Sequence, residues 1–152
     1  MKTTQNKIWM RFLLLGISFY LTAVNVNCGK RSVDYVQYAQ YEFINKTQYS
    51  IKVIESRSPD ISFKIDKGST YSLLREQDGS DKIVTEQSYI SPFFSSQVII
   101  EFDNTRCLNM TSQSEKSVFN LENYSSIRMN SRKYKFTYTF TEQDYDRAVA
   151  CQ

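Results

Sequence analysis

The sequence predicts an all-β chain, an antiparallel sandwich finished by one short helical turn. Three observations carry this. From Tyr35 onward apolar residues recur at every second position, the period of a strand. The alternating runs are short, and Asn, Asp, Gly and Pro punctuate them. No sustained i, i+3, i+4, i+7 period occurs after Cys28. Alternation gives each strand one apolar and one polar face, which two sheets packed face to face satisfy.

The first strand carries Tyr41 and Phe43 on one face with Glu42 between them, and Asn45-Lys46-Thr47 breaks it as a hairpin turn would. Tyr49, Ile51 and Val53 alternate with Ser50, Lys52 and Ile54 as a second strand, followed by a loop through Pro59. Ile61, Phe63 and Ile65 make a third, ended by Asp66-Lys67-Gly68, where glycine supplies the left-handed turn residue. Tyr71 and Leu73 begin a fourth, and Asp78-Gly79-Ser80 marks its turn. Pro92 argues against a central strand within Ile83 to Phe94.

Val98 to Phe102 and Arg106 to Met110 are strands joined by the turn Asp103-Asn104-Thr105. Thr111 to Lys116 is a polar loop, and Phe119, Leu121 and Tyr124 are apolar anchors in an irregular connection. The last strand is the clearest: Tyr134, Phe136, Tyr138 and Phe140 share one parity, Lys133, Lys135, Thr137 and Thr139 the other. A one-residue slip would expose all four rings, so alternation also sets register. Thr141, followed three residues later by Asp144, resembles a capping box for a helical turn from Glu142 to about Ala148. Six to eight short strands with turns and no intervening helices point to an immunoglobulin-like or similar sandwich.

The segment before Cys28 is of another kind. Lys2, Lys7 and Arg11 precede thirteen apolar or small residues, Phe12 to Val24. The run is too short for a spanning helix, which needs about 20 apolar residues, and has the layout of an export signal. The expected organisation is a signal peptide over 1–27, a polar tether over 28–34 after a candidate lipidated Cys28, and a single sandwich domain over 35–152. Of 19 Lys plus Arg and 16 Asp plus Glu, only those three basic groups precede Cys28, with no acid among them. The mature part is therefore formally neutral, and a nucleic-acid partner, which needs a basic surplus, is not expected.

The chain has no histidine, which removes the usual general base and the commonest transition-metal ligand. It contains no phosphate-cradling glycine motif. The carboxylate pairs Asp78 with Asp81 and Asp144 with Asp146 read as a solvated loop and a helix N-terminus rather than as a catalytic couple. No catalytic residue, cofactor or metal is therefore expected, and the chain reads as a non-enzyme. With Cys28 acylated, Cys107 and Cys151 remain as an even pair, either bridged in an oxidising compartment or left as a buried Cys107 and a loose terminal Cys151. Asn-x-Ser/Thr sequons stand at Asn45, Asn109 and Asn123. The stripe from Tyr134 to Phe140 is either the core face of a central strand or an exposed platform for sugar rings or a partner, and the core reading is preferred.

The stretches Tyr41-Glu42-Phe43-Ile44-Asn45-Lys46-Thr47, Phe63 to Tyr71, Val98 to Asp103 and Tyr134 to Tyr145 resemble a functionally uncharacterised family of small cell-envelope lipoproteins of Bacteroidetes-type bacteria. The resemblance implies an extracytoplasmic β-rich domain held by an N-terminal lipid anchor, and no catalytic residues. Asn27 stands where lipoboxes carry Gly, Ala or Ser, and Asn25 where Leu is common, which bears on acylation of Cys28 and leaves the export signal intact. Gly29-Lys30-Arg31 lacks the acidic cluster of surface-exposed members, which points to a periplasm-facing location. The functional expectation is a lipid-anchored binding or structural module of the bacterial envelope, with a protein or glycan partner. The alternatives are a secreted or periplasmic carbohydrate-binding domain, marked by a planar row of exposed rings, and a β-rich hydrolase, marked by opposed carboxylates in a cleft.

Overall fold

The computed structural model describes residues 35–56, 62–79 and 83–151, which belong to one compact unit, Asp34–Gln152. Cys28, the signal and tether segments, Pro59, Ile61, Ser80 and Asp81 lie outside the described residues. The chain is an all-β sandwich of two packed sheets with one short helix near its C-terminus.

The strands are β1 Tyr35–Asn45, β2 Ile51–Glu55, β3 Ser62–Ile65, β4 Thr70–Gly79, β5 Val98–Phe102, β6 Arg106–Met110, β7 Ser125–Asn130, β8 Lys133–Phe140 and β9 Val149–Ala150; α1 is Glu142–Arg147. One sheet has the order β4-β1-β8-β7 and the other β3-β2-β5-β6-β9. Every ladder is antiparallel except β1 with β8, which runs parallel from Tyr38 opposite Lys133 to Asn45 opposite Phe140. That pair puts the two most aromatic strands side by side at the centre of a sheet. Tyr41 stacks on Phe136 at 5.5 Å, and Phe43 reaches across the sandwich to Phe63 at 5.2 Å. Phe136, Tyr138 and Phe140 are buried, so the stripe is a core face, while Tyr134 at the open end is half-buried. Each buried Phe contributes about 1.5–3 kcal/mol of transfer free energy.

The break at Asn45 is not a hairpin. β1 and β2 lie in different sheets, and so do β3 and β4, so both connections are corners that switch sheets. The two corners bond to each other: Gly68 N–H donates to Asn45 O at 3.1 Å, and Asn45 N–H to Ser69 O at 3.0 Å. Gly68 has φ of 69°, a conformation that a Cβ would strain. Three elements depart from the sequence expectation. β4 continues to Gly79, past the expected turn at Asp78. β7 and β9 are additional strands, both at the sheet edges. The β5–β6 turn forms as expected, with Asp103 and Asn104 left-handed at φ of 47° and 57°.

The helix also forms as the sequence predicts. Thr141 caps it, with Asp144 Oδ2 accepting from Thr141 N–H at 2.8 Å, and Arg147 pairs with Asp144. Beyond α1, β9 pairs with β6, and a Cys107–Cys151 disulfide joins them with Cα atoms 5.0 Å apart. The even pair of cysteines is thus a bridge. Among the described residues no helix is long and apolar enough to cross a membrane.

Candidate functional site

Two long irregular connections, 83–97 and 111–124, cross the sandwich without strand pairing of their own. Their backbone carbonyls need partners, and buried tyrosines supply them. Tyr41 donates to Ile90 O at 2.5 Å, Tyr138 to Lys116 O at 2.5 Å and Tyr124 to Val118 O at 2.6 Å, while Tyr89, itself in the first connection, donates to Arg132 O between β7 and β8 at 3.0 Å. Each ring packs in the core while its hydroxyl holds a loop. Burial pushes the phenols of Tyr41, Tyr124, Tyr138 and Tyr89 up from their ordinary value, so they remain protonated donors.

Glu55 adds a second clamp. Its side chain shares the inward parity of Ile51 and Val53 and is buried. Oε1 accepts from Phe94 N–H at 2.5 Å and from Ser95 N–H, which fixes the end of the first connection. Oε2 has no partner among the described residues. Phe94, fixed there, is 66% exposed and lies under the Arg75 guanidinium at 5.3 Å.

Between the two pinned connections lies an open cleft of about 680 Å³. Tyr89, Ile90, Phe119 and Leu121 provide its apolar lining, and Glu86, Gln87, Ser91, Asn120 and Glu122 its polar groups. Ile90 is 58% exposed while its carbonyl is held by the core residue Tyr41. The chemistry suits a partly apolar ligand carrying a cation or several hydrogen-bond donors.

The cleft uses Phe119 and Leu121, which the sequence reads as apolar anchors, but none of the carboxylates, cysteines or sequons that it singled out. Asp144 is buried in its cap and ion pair, Asp146 is exposed, and Asp78 is exposed on an edge strand. Asp144 therefore belongs to the helix N-terminus as expected, whereas Asp146 lies in its last turn. Asn45 is buried with both amide atoms bonded, whereas Asn109 and Asn123 are exposed. Cys107 and Cys151 are joined to each other, away from the cleft. Among the described residues no three His, Cys, Asp or Glu groups are placed to hold a metal. Among the described residues the large exposed rings are Tyr38 and Phe94, on separate elements, and they form no row. The other cleft residues were hidden because they sit in segments without periodicity. Glu55, by contrast, was readable as a carboxylate on the apolar parity of its strand.

Set beside known families, curated proteins and solved structures, the chain matches none of them.

Proposed function

We propose that this chain is a non-enzymatic, lipid-anchored protein of the bacterial cell envelope, exported through its first 27 residues, held at the membrane by acylated Cys28, and acting as a binding module. The observation that carries the reading is the Cys107–Cys151 bridge. Structural disulfides belong to oxidising compartments, so the bridge supports export, and it leaves Cys28 as the single unpaired thiol of the three. The export-signal layout before Cys28 supports the same location, and the lack of an acidic cluster after it supports a periplasm-facing site. The cleft between 86–91 and 119–122 is the binding surface in this reading, with Glu86 and Glu122 meeting a cationic group of a protein partner.

The anchor is tested by fractionation of cells expressing the intact chain and its Cys28→Ala variant. The parent protein is expected in the membrane fraction and released only by detergent, and the variant is expected to lose that retention. Equal retention of both would remove the lipid anchor from the account.

A further inference from the structure

The end of the sandwich where β1 begins carries a second surface. The β7–β8 hairpin turns at Ser131 and Arg132, and this turn sits beside the start of β1: Arg132 O accepts from Tyr38 N–H at 2.9 Å, and the Arg132 guanidinium lies over the Tyr35 ring at 4.9 Å. From Asn123 to Thr141 the sequence has four basic residues and no acid. Lys135 is paired with Glu42 at 3.3 Å, but Arg128, Arg132 and Lys133 form no ion pair among the described residues. Beside them Ile127 and Met129 are 57% and 53% exposed on an edge strand. Exposed aliphatic side chains interleaved with unpaired cations match the interface of an anionic bilayer, which takes apolar groups at acyl depth and cations at its headgroups.

We propose that the β7–β8 hairpin docks on an anionic phospholipid surface, inserting Ile127 and Met129 while Arg128 and Lys133 meet lipid phosphates. The inference rests on the membrane-anchored reading above. Six residues lie between Cys28 and Tyr35, seven Cα-to-Cα steps with a reach of at most about 25 Å, so an anchor at Cys28 keeps this end of the domain near the bilayer. The acids at the same end, Glu76 and Asp78, lie on β4 at the opposite edge of the sheet, three strand spacings or about 14 Å from β7 and two, or about 10 Å, from Lys133 on β8. Glu86 belongs to the cleft. A protein partner at the hairpin is the competing occupant.

The test uses the mature chain from Cys28, oxidised so that Cys28 is its only free thiol, and couples that thiol to a maleimide phospholipid in vesicles. Amide hydrogen exchange across residues 125–135 is compared on phosphatidylglycerol-containing and all-phosphatidylcholine vesicles. Exchange at the hairpin is expected to slow at least fivefold on the anionic vesicles alone, and high salt is expected to reverse it. The Arg128→Gln, Lys133→Gln double variant and the Ile127→Ser, Met129→Ser double variant are expected to lose the protection, with exchange elsewhere in the sandwich unchanged as the check on folding. Equal hairpin exchange on both vesicles, or protection that survives both double variants, would overturn the proposal and leave the hairpin to a protein partner. Chemical coupling replaces the natural anchor, so this result is independent of whether cells acylate Cys28.

Discussion

Asn45 ends β1 and uses both ends of its amide to do so. Oδ1 accepts from the Thr47 N–H and hydroxyl at 2.9 and 2.8 Å, and Nδ2 donates to Tyr49 O and Ile65 O at 2.7 and 3.1 Å. Asn45→Asp keeps the acceptor, removes both donors and buries a charge against two carbonyls. It should cost about 2–4 kcal/mol, read as a lowered urea midpoint, whereas a loss below 0.5 kcal/mol would contradict this role. The same burial keeps the Asn45 sequon closed in the folded chain. The tyrosines make a different prediction. Their folded pKa values lie above the unfolded value of 10.0, mainly through burial, so the folded state holds its phenolic protons more tightly. That stability is fully present below pH 10.0 and is lost as pH rises toward the folded values. Phenolate absorbance of the buried rings should therefore rise together with loss of β-sheet circular dichroism. Full phenolate formation with the sheet signal intact would show that the hydroxyls are not buried donors.

At the level of elements, the disulfide does more than tie down a tail. The loop between Cys107 and Cys151 spans 44 positions and contains β7 and β8, strands of the opposite sheet. Closing it restricts the unfolded chain by about 4 kcal/mol in the chain-entropy account. Reduction should lower stability by about that amount, measured by denaturant unfolding with and without reductant. A negligible change would mean that β9 and the Arg106 bonds to Ala148 O hold the C-terminus unaided. Elements were legible where period and turn chemistry agreed. The parity from Tyr134 to Phe140, the Asp103-Asn104 turn and the Thr141 cap are local patterns, and each formed as read. β7 was not legible, because Ser-Ser-Ile-Arg-Met-Asn lies at an edge with little burial on either face, and its apolar alternation is confined to Ile127 and Met129. The parallel β1–β8 pairing and the sheet switch at Asn45 depend on contacts far apart in sequence, which local periodicity does not encode. The cleft escaped for a related reason: tertiary bonds from Tyr41 and Tyr138 shape its walls, not any pattern within the walls.

Across the whole molecule, the aromatic composition and the proposed function meet. Buried tyrosines let two long connections cover the sandwich without strands, and the space between those connections is the cleft. β1 begins at the end bearing the basic hairpin, and the bridge ties β6 to the segment after α1. The central claim is an exported sandwich anchored at Cys28 and bridged between Cys107 and Cys151. Its most direct test is the intact mass of the protein extracted from the membrane fraction, recorded before and after reduction. The expected mass is that of a chain beginning at Cys28 with added acyl groups, gaining two hydrogens on reduction. A chain retaining its first 27 residues, a mature N-terminus elsewhere, or no gain on reduction would contradict it.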